Sequence, residues 1–416
     1  MELDLHDIPV VDTHEHIENM YRWRGEDTGL GHLLLENHYL MAVIAASDPK
    51  YAGREWNDPE NPVEPLALLR DTGGELSEHE GELVRDYFLE RLPPVAHTSD
   101  WKSMELALRE LHGLRGYHIT AKNWDALDRA VRQRYSERAA WHRDIFARGN
   151  VKTVFWCYGE PLVEGPFRSV VSLGEFLGRT KGGIEDSDAL AGALAEWLDG
   201  QRRELDIVSL KIGSVYRRDG LIAKRSRREA DDALRSMSAQ ETLMSNAVVD
   251  DFLHDLAADA CAERALVVQV HTGYLAGNSF ENELRNTYAA RMETFFARHP
   301  RTRFDVFHGS FPQWGEAVTL ARHYPNIFLN TCWVPSTSES MAEAMLDAAL
   351  DAVPVNKIMW GGDAHSPEMA FGILRLFQRV LKRALEKRAE PTRMRCDAVD
   401  WILFRSAAEL YGLEMP

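Results

Sequence analysis

Short apolar runs separated by amphipathic stretches set the rhythm of this chain. Ile8-Pro9-Val10-Val11 predicts a buried strand. Val151–Cys157, Ser169-Val170-Val171, Ile207–Leu210, Leu266–Val270, Phe304–Phe307, Ile327–Asn330 and the run from Ile358 predict seven more. Between them, apolar positions recur at helical spacing over Leu190–Leu198, Arg228–Ala262 (two helices broken near Ser245), Glu281–Arg298, Glu316–His323 and Ser340–Ala352. Met369–Glu386 and Val399–Leu410 close the chain as helices. Eight strands alternating with helices predict an α/β fold, a (β/α)8 TIM barrel. The stretch between the first two strands breaks the rhythm. It predicts one helix over Leu33–Ile44, a second over Trp101–Leu111 capped by Thr98 or Ser99, and a third from Asn123-Trp124-Asp125 running past Arg134. The expected organisation is therefore residues 1–20 as first strand and metal motif, 21–147 as a helical cap insertion, and 148–416 as the rest of the barrel.

The chemistry sits where the strands stop. The first ends in Asp12-Thr13-His14-Glu15-His16, and alternation along a strand puts His14 and His16 on one side, roughly 6.5 to 7 Å apart along the chain. The run over 207–210 ends in Lys211, the next two in His271 and His308, and the last in Gly362-Asp363. Imidazole and carboxylate suit zinc, iron or manganese, so one or two divalent ions are expected without a choice among them. Lys211 is ambiguous: an ammonium cannot ligate a cation, and a lysine inside a barrel needs an anionic partner. Beyond the strand ends, Tyr216, Arg217, Tyr274, Trp314, Trp333 and His365 are the expected substrate contacts, with Arg217 or Arg218 able to clamp a carboxylate. The cluster from Lys224 to Arg228 reads as a solvated helix start.

Composition narrows the partners. A formal net charge of −17 over 416 residues repels nucleic acid and anionic membrane. No apolar run is long enough to cross a bilayer, so a soluble, cytoplasmic protein acting on a small molecule is expected. The four cysteines, Cys157, Cys261, Cys332 and Cys396, are scattered and read as reduced, mostly buried thiols. Barrels commonly assemble, so a homo-oligomer, or a hetero-oligomer with a related barrel subunit, is also expected.

Taken in order, Asp12-Thr13-His14-Glu15-His16, Leu210-Lys211-Ile212, Val270-His271-Thr272-Gly273, Phe307-His308-Gly309 and Gly362-Asp363-Ala364 resemble the amidohydrolase superfamily over essentially the whole chain. Thr98–Trp101 and Ile119–Trp124 resemble its uronate-isomerase-like branch, which carries a large insertion after the first strand. The resemblance implies metal ligation by His14, His16, Lys211, His271, His308 and Asp363. It implies catalytic roles for Asp363, His308 and Lys211, the lysine carbamylated where two metals are bridged. The expected activity is hydrolysis of a C–N or C–O bond in a small polar, carboxylate-bearing substrate. Non-haem iron oxygenation, sugar-acid isomerisation and a metal-binding subunit supporting a catalytic partner are the alternatives.

Overall fold

In the computed structural model, residues 5–17, 28–51, 76–157, 165–275 and 282–414 are described. Eight parallel strands follow one another around a single sheet: β1 Val10–Glu15, β2 Val151–Cys157, β3 Phe167–Ser172, β4 Ser209–Ile212, β5 Val267–His271, β6 Arg303–Phe307, β7 Ile327–Asn330 and β8 Ile358–Met359. Residues just beyond β8 return to β1. Thr13 N–H and Oγ–H both donate to Trp360 O (3.4 and 2.8 Å), and Asp363 N–H donates to His14 O at 2.8 Å. The strands are buried on both sides, which is why they read as apolar runs rather than alternating ones.

The interior is layered. At one end Val11, Phe155, Val170, Val267 and Met359 pack with Phe404, Ala407 and Leu410 of the C-terminal helices. Tyr411 reaches from there into a buried polar layer, donating at 2.5 Å to Asp305, which also accepts from Asn330 Nδ2 at 3.0 Å. Burial pushes the Asp305 carboxyl up to about 7, against those two hydrogen bonds. The carboxyl ends of the strands lie beyond this layer.

The described residues between β1 and β2 are mostly helical, and the expected boundary near residue 20 lies outside the described residues. The single helix expected over Leu33–Ile44 is two, Leu30–Glu36 and His38–Ala46, because the Asn37 side chain stops one and caps the other by accepting from Leu40 N–H at 3.1 Å. Helix Glu78–Val95 was not expected; Pro93-Pro94, which reads as a break, falls in its last turn. Helix Ser99–His112 starts under a Thr98 cap, and the third helix ends at Tyr135 before a fourth, Arg138–Arg148. The break near Ser245 is present, between Arg227–Ser236 and Ala247–Glu263. The helix expected over 281–298 is only Glu293–Arg298. Two single turns precede it, at Leu284–Asn286 and Ala289–Met292, where Asn286 O accepts from Gly220 N–H instead of continuing a helix.

Candidate metal centre

Six side chains from five strand ends meet in one buried nest. His14 and His16 leave β1 with their Nε2 atoms 3.0 Å apart. Asp363 Oδ1 lies 3.5 Å from His14 Nε2 and 3.3 Å from His16 Nε2, while its Oδ2 faces His308 Nε2 at 3.7 Å. His308 Nε2 stands 3.1 Å from His271 Nδ1, and Lys211 Nζ 2.5 Å from His14 Nε2. The Asp363 carboxylate thus lies between two imidazole pairs. Apart from His16, the other five residues are no more than 5% exposed.

The protonation pattern follows from the partners. His271 Nε2 points at Tyr274 O (3.0 Å) and His308 Nδ1 at Cys332 O (3.0 Å). A carbonyl only accepts, so these nitrogens carry the protons, and His271 Nδ1 and His308 Nε2 face each other as lone pairs. Burial lowers the pKa of His14, His16 and His271, and lowers His308 to about 4, so the rings are neutral near pH 7. Burial opposes ionisation of Asp363, yet its hydrogen bond with His16 and the surrounding imidazoles hold it below the usual carboxylate range. Facing lone pairs beside a carboxylate repel unless a cation sits among them. Ligand atoms about 2.0 to 2.2 Å from one tetrahedral ion are roughly 3.3 to 3.5 Å apart. The separations of 3.5 and 3.3 Å from Asp363 Oδ1 to His14 and His16 Nε2 meet that requirement, and the two imidazole nitrogens stand closer, at 3.0 Å.

The backbone beneath is strained and braced. His308, Trp333 and Asp363 have φ of 60°, 63° and 60°, the left-handed region that side chains with a Cβ rarely adopt. Asp12 Oδ1 accepts from Gly362 N–H at 3.0 Å, Glu15 accepts from Ala364 N–H, and Tyr39 OH donates to Asp363 O at 2.7 Å. A Cβ on Gly362 would come within 2.0 Å of Glu15 Oε1, so the segment lies directly on the β1 carboxyls. Asp12 and Glu15 share a hydrogen bond; burial raises Asp12 to about 6 and, with the Asp12 charge, pushes Glu15 well up. One proton is therefore held between them.

The expected outer contacts divide. His365 stacks on His16 (centroids 5.5 Å), and its Nε2 meets His38 Nε2 at 3.1 Å. Tyr216 packs on His271 at 4.6 Å, and Trp333 lies 5.4 Å from His308 and 5.1 Å from Tyr274. Arg217 is turned away from the nest, both terminal nitrogens bonding Asp250 at 2.7 and 2.9 Å, and Arg218 bridges Asp250 and Asp251. The carboxylate clamp expected of them is thus spent on helix Ala247–Glu263. Trp314 opens helix Trp314–His323, half-buried against the core, with no ring contact to the nest among the described residues. In the basic cluster, Ser226 caps the helix from Arg227, the helix start expected there.

Sequence reading missed four contributors. Tyr39 and His38 arrive from the helix His38–Ala46, in a stretch whose histidines and aromatics read as cap packing ahead of substrate contact. Cys157 Sγ lies within 4.8 Å of ligand atoms of His14 and His16, and Cys332 Sγ equally near His308 and Asp363. The signal was available, since Cys157 ends β2 and Cys332 follows β7. Burial pushes the Cys332 thiol well up, so it stays protonated. The expectation of reduced, mostly buried thiols holds: all four cysteines are free, Cys396 only half-buried.

Comparison with known proteins points the same way. Residues 213–413 match the family model described as Amidohydrolase. Protein fluG of Emericella nidulans is 29% identical over 168 residues, 40% of this chain and 19% of that protein, so the match spans about a fifth of the relative's length. Glucuronate isomerase from Caulobacter crescentus shares the fold with a TM-score of 0.71 at 15% identity, over 99% of this chain and 92% of that one. Uronate isomerase from Thermotoga maritima gives 0.71 and 15% over 98% and 95%. The family match thus covers just under half of the chain, from just after β4 through the C-terminal helices, and takes in His271, His308 and Asp363.

Proposed function

We propose that the chain is a metal-dependent hydrolase cleaving a C–N or C–O bond of a small polar substrate. The observation that carries this reading is the pair of facing lone pairs, His271 Nδ1 and His308 Nε2, beside an ionised Asp363 that also faces His14 and His16. A divalent ion held there would supply Lewis acidity, lowering the pKa of water toward about 7 and polarising an acyl group. His14, His16 and Asp363 would hold it, with His271 and His308 holding a second ion or orienting the substrate.

The side chains then divide the work. Asp363 accepts a proton from attacking water as its oxygen bonds to the acyl carbon, and returns that proton to the departing nitrogen or oxygen as the old bond breaks. Trp333 and Tyr39, stacked at 4.3 Å, wall the nest and keep bulk water out. Lys211 is 4% exposed and has no carboxylate within 4 Å among the described residues. Carbamylation would give this chain-buried amine the anionic form that a bridging role needs.

The test is metal analysis of the purified protein with hydrolysis of a panel of small amides and esters. Asp363→Asn is expected to lower turnover about 10²-fold or more, within the range for a lost proton-transfer group, and His14→Ala to lower it comparably by removing a ligand. Undiminished hydrolysis in both variants overturns the reading. Solvent proton exchange without net hydrolysis would favour the isomerase alternative, and iron with substrate-dependent oxygen uptake the oxygenase.

A further inference from the structure

A thiol stands at the end of β2, beside the two histidines that leave β1. In the parallel register Glu15 pairs with Trp156, so Cys157 follows alongside His16. Side chains alternate along a strand. Trp156 turns outward, its ring 5.7 Å from that of Phe167, while Phe155 and Cys157 turn inward and pack with Val11, Val170 and Met359. The Cys157 sulfur thus lies inside the barrel near its carboxyl end, where it and one ligand atom each of His14 and His16 all stand within 4.8 Å of one another. Around one tetrahedral zinc ion, a sulfur bound at about 2.3 Å and a nitrogen bound at about 2.0 to 2.1 Å stand roughly 3.5 Å apart. The excess is about 1.3 Å at most, a gap that side-chain rotation can close without moving the strand.

Charge also favours a sulfur ligand. Asp363 is the one carboxyl among the six residues of the nest, so it alone brings a fixed negative charge to balance a divalent ion buried there. Uncompensated charge away from water is costly. Lys211 contributes an anion only when carbamylated, whereas a thiol becomes one by losing its proton. Cys332 stands on the opposite side, grouped with His308 and Asp363, where a carboxylate is already at hand. Cys261 and Cys396 lie on helices Ala247–Glu263 and Thr392–Asp400, so of the four cysteines only Cys157 and Cys332 are placed to give sulfur to the nest.

We propose that Cys157 bonds through sulfur to the ion that His14 and His16 hold, and so selects zinc over manganese or magnesium, which favour oxygen ligands. The S–H bond breaks as the sulfur–metal bond forms, and the proton is released to solvent. Zinc accepts a fifth ligand during reaction, so Cys157 added to His14, His16 and Asp363 does not exclude a substrate. This rests on the nest being a metal centre, and the experiment separates the two. Chelator-stripped protein is titrated with cobalt(II) under a non-thiol reductant and read by absorption. Visible d–d bands report a bound ion, and a near-ultraviolet sulfur-to-cobalt band reports a thiolate ligand. Both are expected in the native protein and in Cys332→Ala, while Cys157→Ala keeps the visible bands and loses the near-ultraviolet one. In chelator competition Cys157→Ala is expected to weaken zinc at least about ten-fold, since contacts outside the ligand set already carry that much, and manganese by no more than about two-fold. Zinc-edge X-ray absorption on the native protein loaded with one zinc per chain checks the bond without a variant, and one sulfur at about 2.3 Å is expected. A zinc shell of nitrogen and oxygen alone, a sulfur band that survives in Cys157→Ala or vanishes in Cys332→Ala, or an equal loss of zinc and manganese affinity overturns the proposal while leaving metal binding itself in place. Absence of any cobalt or zinc uptake instead overturns the metal-dependent function on which the proposal rests.

Discussion

At the scale of single residues, the nest depends on a few positions that leave no space. Gly362 lies against Glu15 and Asp12, and its neighbour Asp363 faces the imidazoles of His14, His16 and His308 from a left-handed backbone. Such φ values cost roughly 1–3 kcal/mol each and persist only where surrounding contacts hold them. A methyl group on Gly362 must displace the Glu15 carboxyl that braces Ala364. Gly362→Ala is therefore expected to weaken divalent-metal affinity about ten-fold, as loss of a supporting contact commonly does. Chelator competition against the native protein checks it. The residues of the nest itself were legible, because a histidine, lysine or aspartate ending an apolar run is conspicuous. Arg217 was not: its charge is visible in the sequence, but its partner Asp250 lies on a helix 33 residues later, and which of two opposite charges an arginine meets is decided by packing.

At the scale of elements, one buried acid gathers several of the bonds that fasten the helices between β1 and β2 to the barrel. Glu368, at the start of helix Pro367–Glu386, accepts from Tyr135 OH and Trp141 Nε1, each at 2.8 Å, and faces His112 Nε2 at 3.2 Å. Burial opposes its ionisation, but these partners hold its pKa below the usual value. Beside it His142 is fully buried, and burial lowers its pKa to about 4. A histidine depressed when folded takes up its proton more readily when unfolded, so its stabilising share is complete above pH 6.5 and is lost as pH falls toward 4. The loss is on the order of 3 kcal/mol. Urea unfolding of the native protein and His142→Gln at pH 7 and pH 4.5 is expected to show a smaller acid loss in the variant. The strands and the helices around the barrel were readable from periodicity. The joints were not, since Asn37 and Asn286 end helices through single side-chain or backbone hydrogen bonds that an apolar count ignores.

At the scale of the whole molecule, the barrel carries electrostatic tension in its upper layer. Neutral imidazoles, an ionised Asp363 and a shared proton between Asp12 and Glu15 are packed together without bulk water. An ion bound only by the folded form stabilises it by about 2.7 kcal/mol at a hundred times its Kd. Adding the metal found on purification to chelator-stripped protein is accordingly expected to raise the melting temperature, and Asp363→Asn to abolish most of that rise. The layer could be foreseen as a set of residue types at strand ends; its geometry could not, because it depends on where a closed cylinder sets each strand.

The brace between β1 and the segment after β8 has a consequence for how the protein comes into being. Asp12, Glu15 and the backbone of His14 grip residues 362–364 across some 350 positions of sequence. Contacts so distant form late, after the intervening strands have found their neighbours. A chain caught partway through folding therefore holds no finished ligand set, and a divalent ion is expected to bind only once the cylinder has been sealed.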